Sequence, residues 1–214
     1  MRRILKEQHK ELYFVRHGQT EWNAIARMQG QWNSDLNQLG REQAEVNGQF
    51  LANRHIEALF VSPLDRTRQT AEIINQHLAL PVSYDDRIME WDCGQWSGFL
   101  YKDVKKKWAE EWRQLEADRF NYRGPGCENY PDMIKRSTPF LEEMKARPEK
   151  RIAIVSHGLI GRVMISQLLQ FGPGETLGFH QQNDVIYRVT LHEGNVEIAY
   201  FIGGEGPVPG LMVT

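Results

Sequence analysis

The stretch LYFVRHGQT, residues 12–20, is a short apolar run that ends in Arg16, His17 and a glycine. A second stretch, IAIVSHG at residues 152–158, also runs from apolar residues into a histidine, His157, and a glycine. Short apolar runs of β-branched and aromatic residues that stop at a glycine are typical of buried strands followed by turns. Ligands of parallel sheets bind outside the carboxyl ends of the strands. The two endings therefore predict one shared site.

Apolar runs alternate with helical patterns along the rest of the chain. Strands are predicted at residues 12–15, at 56–63 and in the run that begins at 151, with a hairpin formed by 185–191 and 196–202. Helices are predicted over 37–54 with Asn37 as N-cap, 64–78, 101–118, 131–146 and 159–169. This alternation predicts an α/β fold of three layers, in which helices flank a mainly parallel sheet.

The length of 214 residues, with 41% hydrophobic and 25% charged residues, suits one globular domain. We expect that domain to span residues 1–214, with an N-terminal extension over 1–11 and a loose, Gly- and Pro-rich C-terminal tail over 203–214. The net charge of −2 gives no bulk electrostatic reason to bind nucleic acid, so any anion site must be local.

The sequence also favours a cytoplasmic protein. The basic start MRRILKEQHKEL does not lead into a secretory apolar region, and no apolar run reaches the roughly 18 residues that a membrane helix needs. The two cysteines, Cys93 and Cys127, do not form a CxxC pair of the kind that suggests zinc or thiol redox chemistry. We therefore expect neither a membrane partner nor a metal or other cofactor.

Arginine beside the first histidine indicates an anion site. The planar guanidinium of Arg16 can bind two oxygens of a phosphate, whereas beside a metal ion its charge would be repulsive. SPLDRTRQTAE, residues 62–72, adds Arg66 and Arg68 at the start of a helix, where free N–H groups also favour an anion. Residues two apart on a helix point in different directions, so one of these arginines is expected in the site and the other elsewhere.

These motifs together resemble those of the histidine phosphatase superfamily, also called the phosphoglycerate mutase-like family. The four matching segments occur in family order and are RHGQTEWN (16–23), SPLDRTRQTA (62–71), EWDCGQWSG (90–98) and VSHG (155–158). The resemblance extends from about Leu12 to Ile202. It implies a phosphoglycerate mutase-like fold.

The resemblance also implies a role for each matching residue. His17 is the nucleophile that accepts the phosphoryl group, and Glu90 is the general acid. Arg16, Arg66 and His157 hold the phosphate oxygens, and Asn23 lines the same pocket. The other ring nitrogen of His17 is expected to donate to a backbone carbonyl. Asp92 is the rival acid, although a carboxylate in such a loop more often caps a turn.

Three functions follow from this interpretation. The first is a metal-independent phosphatase that hydrolyses small phosphorylated metabolites through a phosphohistidine. The second is a 2,3-bisphosphoglycerate-dependent phosphoglycerate mutase, and the third is a phospho-ligand binding protein without turnover. The segment EWDCGQWSG resembles the phosphatase branch. Cys127 and Asn129 stand where the family commonly has glycine and serine, which leaves the shape of the pocket rim open. Selectivity is expected to depend on rim side chains, for which the sequence offers Trp22, Met28, Trp32, Trp96 and Tyr130.

Overall fold

The computed structural model describes residues 9–213, which contain a seven-stranded sheet in the order β3-β2-β4-β1-β5-β6-β7. The strands are β1 (Lys10–Arg16), β2 (Ala58–Val61), β3 (Val82–Tyr84), β4 (Arg151–Ser156), β5 (Val185–His192), β6 (Asn195–Ile202) and β7 (Glu205–Pro209). β1 pairs parallel to β4, and β2 pairs parallel to both β3 and β4. β5, β6 and β7 then follow β1 as successive antiparallel neighbours. Five of these seven strands, β1 to β4 and β6, thus run in one direction, which confirms the mainly parallel sheet.

Helices cover both faces of the sheet. They are α1 (Glu21–Ala24), α2 (Gln38–Ala52), α3 (Asp65–Leu78), α4 (Tyr101–Lys107), α5 (Ala109–Ala117), α6 (Tyr130–Ala146), α7 (Gly158–Leu168) and α8 (Pro173–Leu177). Asn37 is the N-cap of α2, as the sequence predicts, and its side chain accepts a hydrogen bond from the N–H of Gly40. None of the helices between residues 9 and 213 has the length and apolar character to cross a membrane. The cytoplasmic location stays a prediction.

Alternating residues of the central strands build two separate cores. Leu12 and Phe14 of β1 pack with α6 and α7 on one face of the sheet. Tyr13 and Val15 point to the other face and pack with α2 and α3. Each such fully buried apolar side chain contributes about 1.5–3 kcal/mol to folding. This period of two, with a core on each face, confirms the three-layer α/β architecture.

The register of the central pair sets the position of both histidines. β1 and β4 pair in register from Glu11 opposite Arg151 to Arg16 opposite Ser156. The residues that follow, His17 and His157, therefore leave the sheet side by side. Their ring centroids are 5.2 Å apart.

Two expected segments differ in the structure. The helix expected over 101–118 is divided at Trp108, whose φ of −120° and ψ of 52° leave the helical region. The ring of Trp108 instead packs edge-to-face on Phe99, so tertiary packing overrides a continuous helical pattern.

Part of the C-terminal tail that was expected to be loose over 203–214 is a strand. Residues 205–209 form β7, which pairs with β6 at the edge of the sheet. Proline is tolerated there because an edge strand leaves N–H positions without a ladder partner. At the other end, Lys10 and Glu11 of the expected extension belong to β1. Residues 1–8 of that extension lie outside the described residues.

The glycine after His17 packs backbone against backbone. A Cβ atom at Gly18 would lie 2.1 Å from the carbonyl oxygen of Gly40, near the start of α2. A Cβ atom at Gly40 would lie 2.0 Å from the carbonyl oxygen of Gln19. Both positions are therefore glycine because two backbone segments cross closely there.

We predict that Gly18→Ala destabilises the fold by about 1–3 kcal/mol, the cost of overpacking a site that cannot yield. Urea unfolding measures the change as a lower midpoint at unchanged slope. Gly174→Ala is the matched control, because no heavy atom lies within 4 Å of its added Cβ. Equal stability of the two variants would contradict this account of the crossing.

Candidate active site

His17 lies directly after β1 and is 3% exposed. Its Nδ1 is 2.8 Å from the carbonyl oxygen of Gly18. A carbonyl only accepts, so Nδ1 carries the proton and Nε2 keeps a lone pair. Burial, together with Arg66 and Arg16, lowers the pKa of His17 well below its ordinary value. The ring is therefore neutral and oriented, as a nucleophile requires.

Arg66 connects the two histidines. Its Nε–H lies 3.3 Å from Nε2 of His17 and 3.2 Å from Nδ1 of His157, and it donates to both. Its terminal nitrogens donate to the carbonyl oxygens of Trp32 (2.8 Å) and Gly30 (2.7 Å). Burial lowers the pKa of Arg66 to about 10, so the guanidinium is still charged at neutral pH.

Arg68 points away from this site, in agreement with its spacing from Arg66. Its guanidinium lies over the ring of Tyr84 at 3.9 Å from the centroid, and its Nε donates to the carbonyl of Pro63.

His157 is fully buried and hydrogen-bonded on both ring nitrogens. Because Nδ1 accepts from Arg66, Nε2 carries the proton and donates to Oγ of Ser62 at 2.7 Å. Burial, followed by the charge of Arg66, lowers the pKa of His157 well below its ordinary value.

Arg16 lies against the start of α7. Its Nη1 donates to the carbonyl of Gln181 at 2.6 Å. Its Nε is buried and has no hydrogen-bond partner within residues 9–213. A Cβ atom at Gly158 would lie 3.3 Å from the central guanidinium carbon, so the glycine after the second histidine makes room for this cation. Arg16 thus offers a desolvated donor to an anion.

Glu90 caps α7 from a separate loop. One carboxylate oxygen accepts from the N–H of Ile160 (3.1 Å) and of Trp91 (2.9 Å), and the other accepts from the N–H of Leu159 (3.2 Å). The side chain at the N-cap position itself, that of His157, makes no cap hydrogen bond. A carboxylate at a helix N-terminus also meets the positive end of the helix dipole. Glu90 therefore performs the capping and leaves His157 to face the site.

Arg136 and Glu128 hold the loop that carries Glu90. Arg136 forms a two-pronged ion pair with Glu128, at 2.7 and 2.9 Å. The same guanidinium donates to the carbonyl oxygens of Arg87 and Glu90, and Glu128 accepts from the N–H of Asp92. The sequence interpretation gave neither residue a role, because their importance depends on loop backbone contacts that no motif displays.

Five of the six sequence-predicted site residues line one cavity of about 470 Å³, namely Arg16, His17, Asn23, Arg66 and Glu90. His157 lies behind the cavity wall, against Arg66. Asn23 also caps α1, since its Oδ1 accepts from the N–H of Thr20. The further lining residues that the sequence analysis missed include Arg27, Tyr101, Arg162 and His180. The sequence did contain a signal for Arg162. It follows Gly158 by four residues, so the two residues lie on one face of the same helix.

The cavity is strongly cationic. Its wall includes the guanidinium groups of Arg16, Arg27, Arg66 and Arg162. Glu90 is the one acidic side chain among the described residues of that wall. Residues 9–213 contain no cluster of three or more histidine, cysteine or acidic side chains placed to hold a metal ion. The arrangement suits a small, multiply charged anion.

Asp92 caps a turn, since its Oδ1 accepts from the N–H of Gly94 at 2.9 Å. This is the structural role that the sequence analysis weighed against its role as acid.

Of the expected rim residues, Met28, Asn129 and Tyr130 line a second cavity beside the first. Asn129 is also the N-cap of α6. The other expected rim residues lie elsewhere. Cys127 is buried beside Cys93 and Trp96, and its Sγ donates to the Cys93 carbonyl. Trp32 is 58% exposed and contributes its carbonyl to Arg66. Trp22 lies under the guanidinium of Arg27, at 5.3 Å from the ring centroid.

Comparison with known proteins identifies a matching family and several similar proteins. A family model described as the histidine phosphatase superfamily (branch 1) matches residues 12–202. Phosphoserine phosphatase 1 from Hydrogenobacter thermophilus is 36% identical over 160 residues, 74% of this chain and 76% of its own length. Probable phosphoglycerate mutase GpmB from Erwinia tasmaniensis is 36% identical over 161 residues, 74% of each chain. The structure of a mycobacterial glucosyl-3-phosphoglycerate phosphatase with VO3 superposes with a TM-score of 0.76 at 26% identity, over 84% of this chain and 90% of that one.

The contacts of Arg66 predict how the two imidazoles titrate. In the wild type both rings stay neutral at pH 6.5, since burial and Arg66 lower both pKa values. Arg66→Met removes one of these causes, so the pKa of each ring rises and protonation begins at higher pH. Long-range ¹H–¹⁵N NMR of the histidine side chains measures both titrations. Arg68→Met is the control, because that guanidinium lies over Tyr84. Wild-type rings that titrate at the ordinary pKa would contradict the prediction.

Proposed function

The chain belongs to the histidine phosphatase superfamily (branch 1), and we propose that it is a metal-independent phosphatase of small phosphomonoesters that works through a phosphohistidine. The observation that carries the proposal is the state of His17. Its Nδ1 proton is fixed on the Gly18 carbonyl, and its Nε2 lone pair lies beside a charged guanidinium, where a phosphate would be held.

The first step transfers the phosphoryl group to His17. The Nε2 lone pair forms a bond to phosphorus, and the bond from phosphorus to the ester oxygen breaks. Arg16 and Arg66 stabilise the charge on the three equatorial oxygens, which is the main catalytic demand of phosphoryl transfer. Glu90 gives its proton to the departing oxygen, which leaves as an alcohol.

His157 assists when phosphate is bound. Its proton is on Nε2, toward Ser62. The negative charge of a bound phosphate favours the imidazolium form, which can then donate from Nδ1 to a phosphate oxygen.

The second step returns His17 to its starting state. The carboxylate of Glu90 takes a proton from water, whose oxygen forms a bond to phosphorus as the bond to His17 Nε2 breaks. Inorganic phosphate is released and Glu90 is again protonated. One acid–base group serves both steps.

The names of the relatives support a small phosphorylated metabolite as substrate, since one is a phosphoserine phosphatase and another a glucosyl-3-phosphoglycerate phosphatase. The name of a third keeps the mutase as a second candidate. A mutase forms the same phosphohistidine but returns the group to a retained intermediate. An assay primed with 2,3-bisphosphoglycerate separates the two functions, because a phosphatase releases inorganic phosphate and does not interconvert the two phosphoglycerates.

The covalent step is tested by trapping. We expect wild-type protein mixed with p-nitrophenyl phosphate in excess EDTA, then quenched in alkali, to carry an acid-labile phosphate on His17. His17→Ala abolishes both the label and turnover, because no other described side chain is placed to accept the group. His77→Ala is the matched control, since His77 pairs with Glu45 away from the cavity. A wild type that turns over without label would rule out the phosphohistidine, and a requirement for added metal would rule out metal independence.

The identity of the acid is tested by the leaving group. We expect Glu90→Gln to slow single-turnover transfer from ethyl phosphate by ~10²- to 10⁴-fold, because an alkoxide needs a proton to leave. Transfer from p-nitrophenyl phosphate should slow far less, since nitrophenolate leaves unprotonated. Comparison of two substrates in one variant cancels any loss from the α7 cap.

Asp92→Asn is the control for this experiment, and it should slow both substrates equally or not at all. A selective loss for ethyl phosphate in Asp92→Asn, with none in Glu90→Gln, would assign the acid to Asp92.

A further inference from the structure

A second cavity of about 450 Å³ adjoins the catalytic one. The two cavities share four wall residues, which are Trp91, Tyr101, Leu159 and Arg162. A volume of this size is in the range that holds the body of a small ligand. A molecule anchored in the first cavity can therefore extend into the second.

Glu90 lies at the boundary between the two cavities. Its carboxylate accepts from the N–H groups of Trp91 and Leu159, both of which belong to the shared wall. The ester oxygen of a bound substrate must lie beside Glu90 to receive a proton. The organic group attached to that oxygen then continues past Trp91 and Leu159 into the second cavity.

The wall of the second cavity is mainly aromatic and aliphatic. Its members outside the shared wall include Trp112, Leu115, Tyr122, Met133 and Leu177. The polar atoms of its tryptophans are already engaged, because Nε1 of Trp91 donates to the Glu128 carbonyl and Nε1 of Trp112 donates to Glu116. Ring faces and hydrocarbon are what this wall offers a ligand.

The charged side chains at this cavity carry both signs. Lys105, Arg119 and Arg162 stand with Glu116 and Glu128. Glu128 is paired with Arg136, and Arg162 Nη1 lies 3.2 Å from the hydroxyl of Tyr130. The cations outnumber the carboxylates here, but aromatic and aliphatic side chains form most of the wall, so the apolar wall dominates recognition.

We infer that the second cavity binds the alcohol part of the substrate, and that this part is an apolar group bearing an aromatic ring. The inference rests on the proposed phosphatase function and deepens it by naming the class of leaving group. An aromatic ring gains both from apolar burial and from the geometry of ring contacts with the wall.

Two substrates with similar alcohols test the inference. Ethyl phosphate and 3-phenylpropyl phosphate both release primary alkanols, so their chemical steps are alike and the phenyl group changes only binding. We expect kcat/KM of the wild type to be about 10- to 100-fold higher for 3-phenylpropyl phosphate, the usual effect of filling an apolar pocket. Equal values would overturn the inference while leaving the phosphatase function intact.

Binding without turnover gives a second readout. We expect calorimetry with His17→Ala to show a similar preference in Kd for 3-phenylpropyl phosphate over ethyl phosphate. This measurement decides the inference even if the wild type hydrolyses neither ester, an outcome that would count against the proposed function alone. Absence of the preference in Kd would overturn the inference.

Substitutions in the wall of the second cavity test where the phenyl group binds. Leu115→Glu places a charge in the cavity wall and should reduce the ratio of the two kcat/KM values to within about threefold of one. Leu177→Glu, on a different helix, should do the same and covers the case in which the first variant fails to fold. Leu39→Glu is the matched control, because Leu39 is 46% exposed on α2 and the ratio should stay at its wild-type value. Loss of the ratio in the control, or its persistence in both wall variants, would place the phenyl group elsewhere.

Discussion

The guanidinium of Arg66 is the interaction on which the rest of the site depends. A buried cation is costly, because desolvation of an ion takes several kcal/mol even after the protein relaxes. Here the carbonyls of Gly30 and Trp32 and the imidazoles of His17 and His157 accept from it, and Glu90 lies near enough to favour its charged form. The same charge disfavours protonation of His17 and His157. One side chain therefore fixes a loop, orients two rings and keeps them neutral, and in the proposed reaction it also supplies positive charge for the phosphate.

The sheet and the glycines explain why the two halves of the site meet at all. Register between β1 and β4 delivers both histidines to the same edge, and a one-residue slip would exchange the two cores as well as separate the rings. The glycine after each histidine is required because another group packs too closely there for a side chain. Gly18 allows the backbone to cross Gly40, and Gly158 allows the Arg16 guanidinium to lie against α7. Chemistry and packing thus constrain the same short segments.

The sequence predicted the strands, the long helices and the residues around His17. It could do so because buried strand ends and charged motifs are visible within short segments of the chain. It did not explain Gly18, whose close partner is backbone 22 positions away along the chain. It also took residues 205–209 as loose, since glycine and proline suggest a loop unless an unpaired strand edge is already available beside them. The sequence did not predict the roles of Arg136 and Glu128, because they hold the Glu90 loop through hydrogen bonds to its backbone carbonyl and N–H groups. No motif distinguishes His180 in the sequence, and only the fold brings it to the cavity wall.

Glu90 is the one carboxylate of the described cavity wall, and in the proposed reaction this sets the order of the steps. The departing alcohol and the incoming water need the same place opposite His17, next to the same group. Water can therefore enter only after the alcohol has left. A substrate whose organic part fits its cavity too tightly delays that exchange and lengthens the life of the phosphorylated protein. The best-bound ester and the most rapidly turned-over ester are then different molecules, and a long-lived intermediate gives other hydroxyl acceptors time to compete with water.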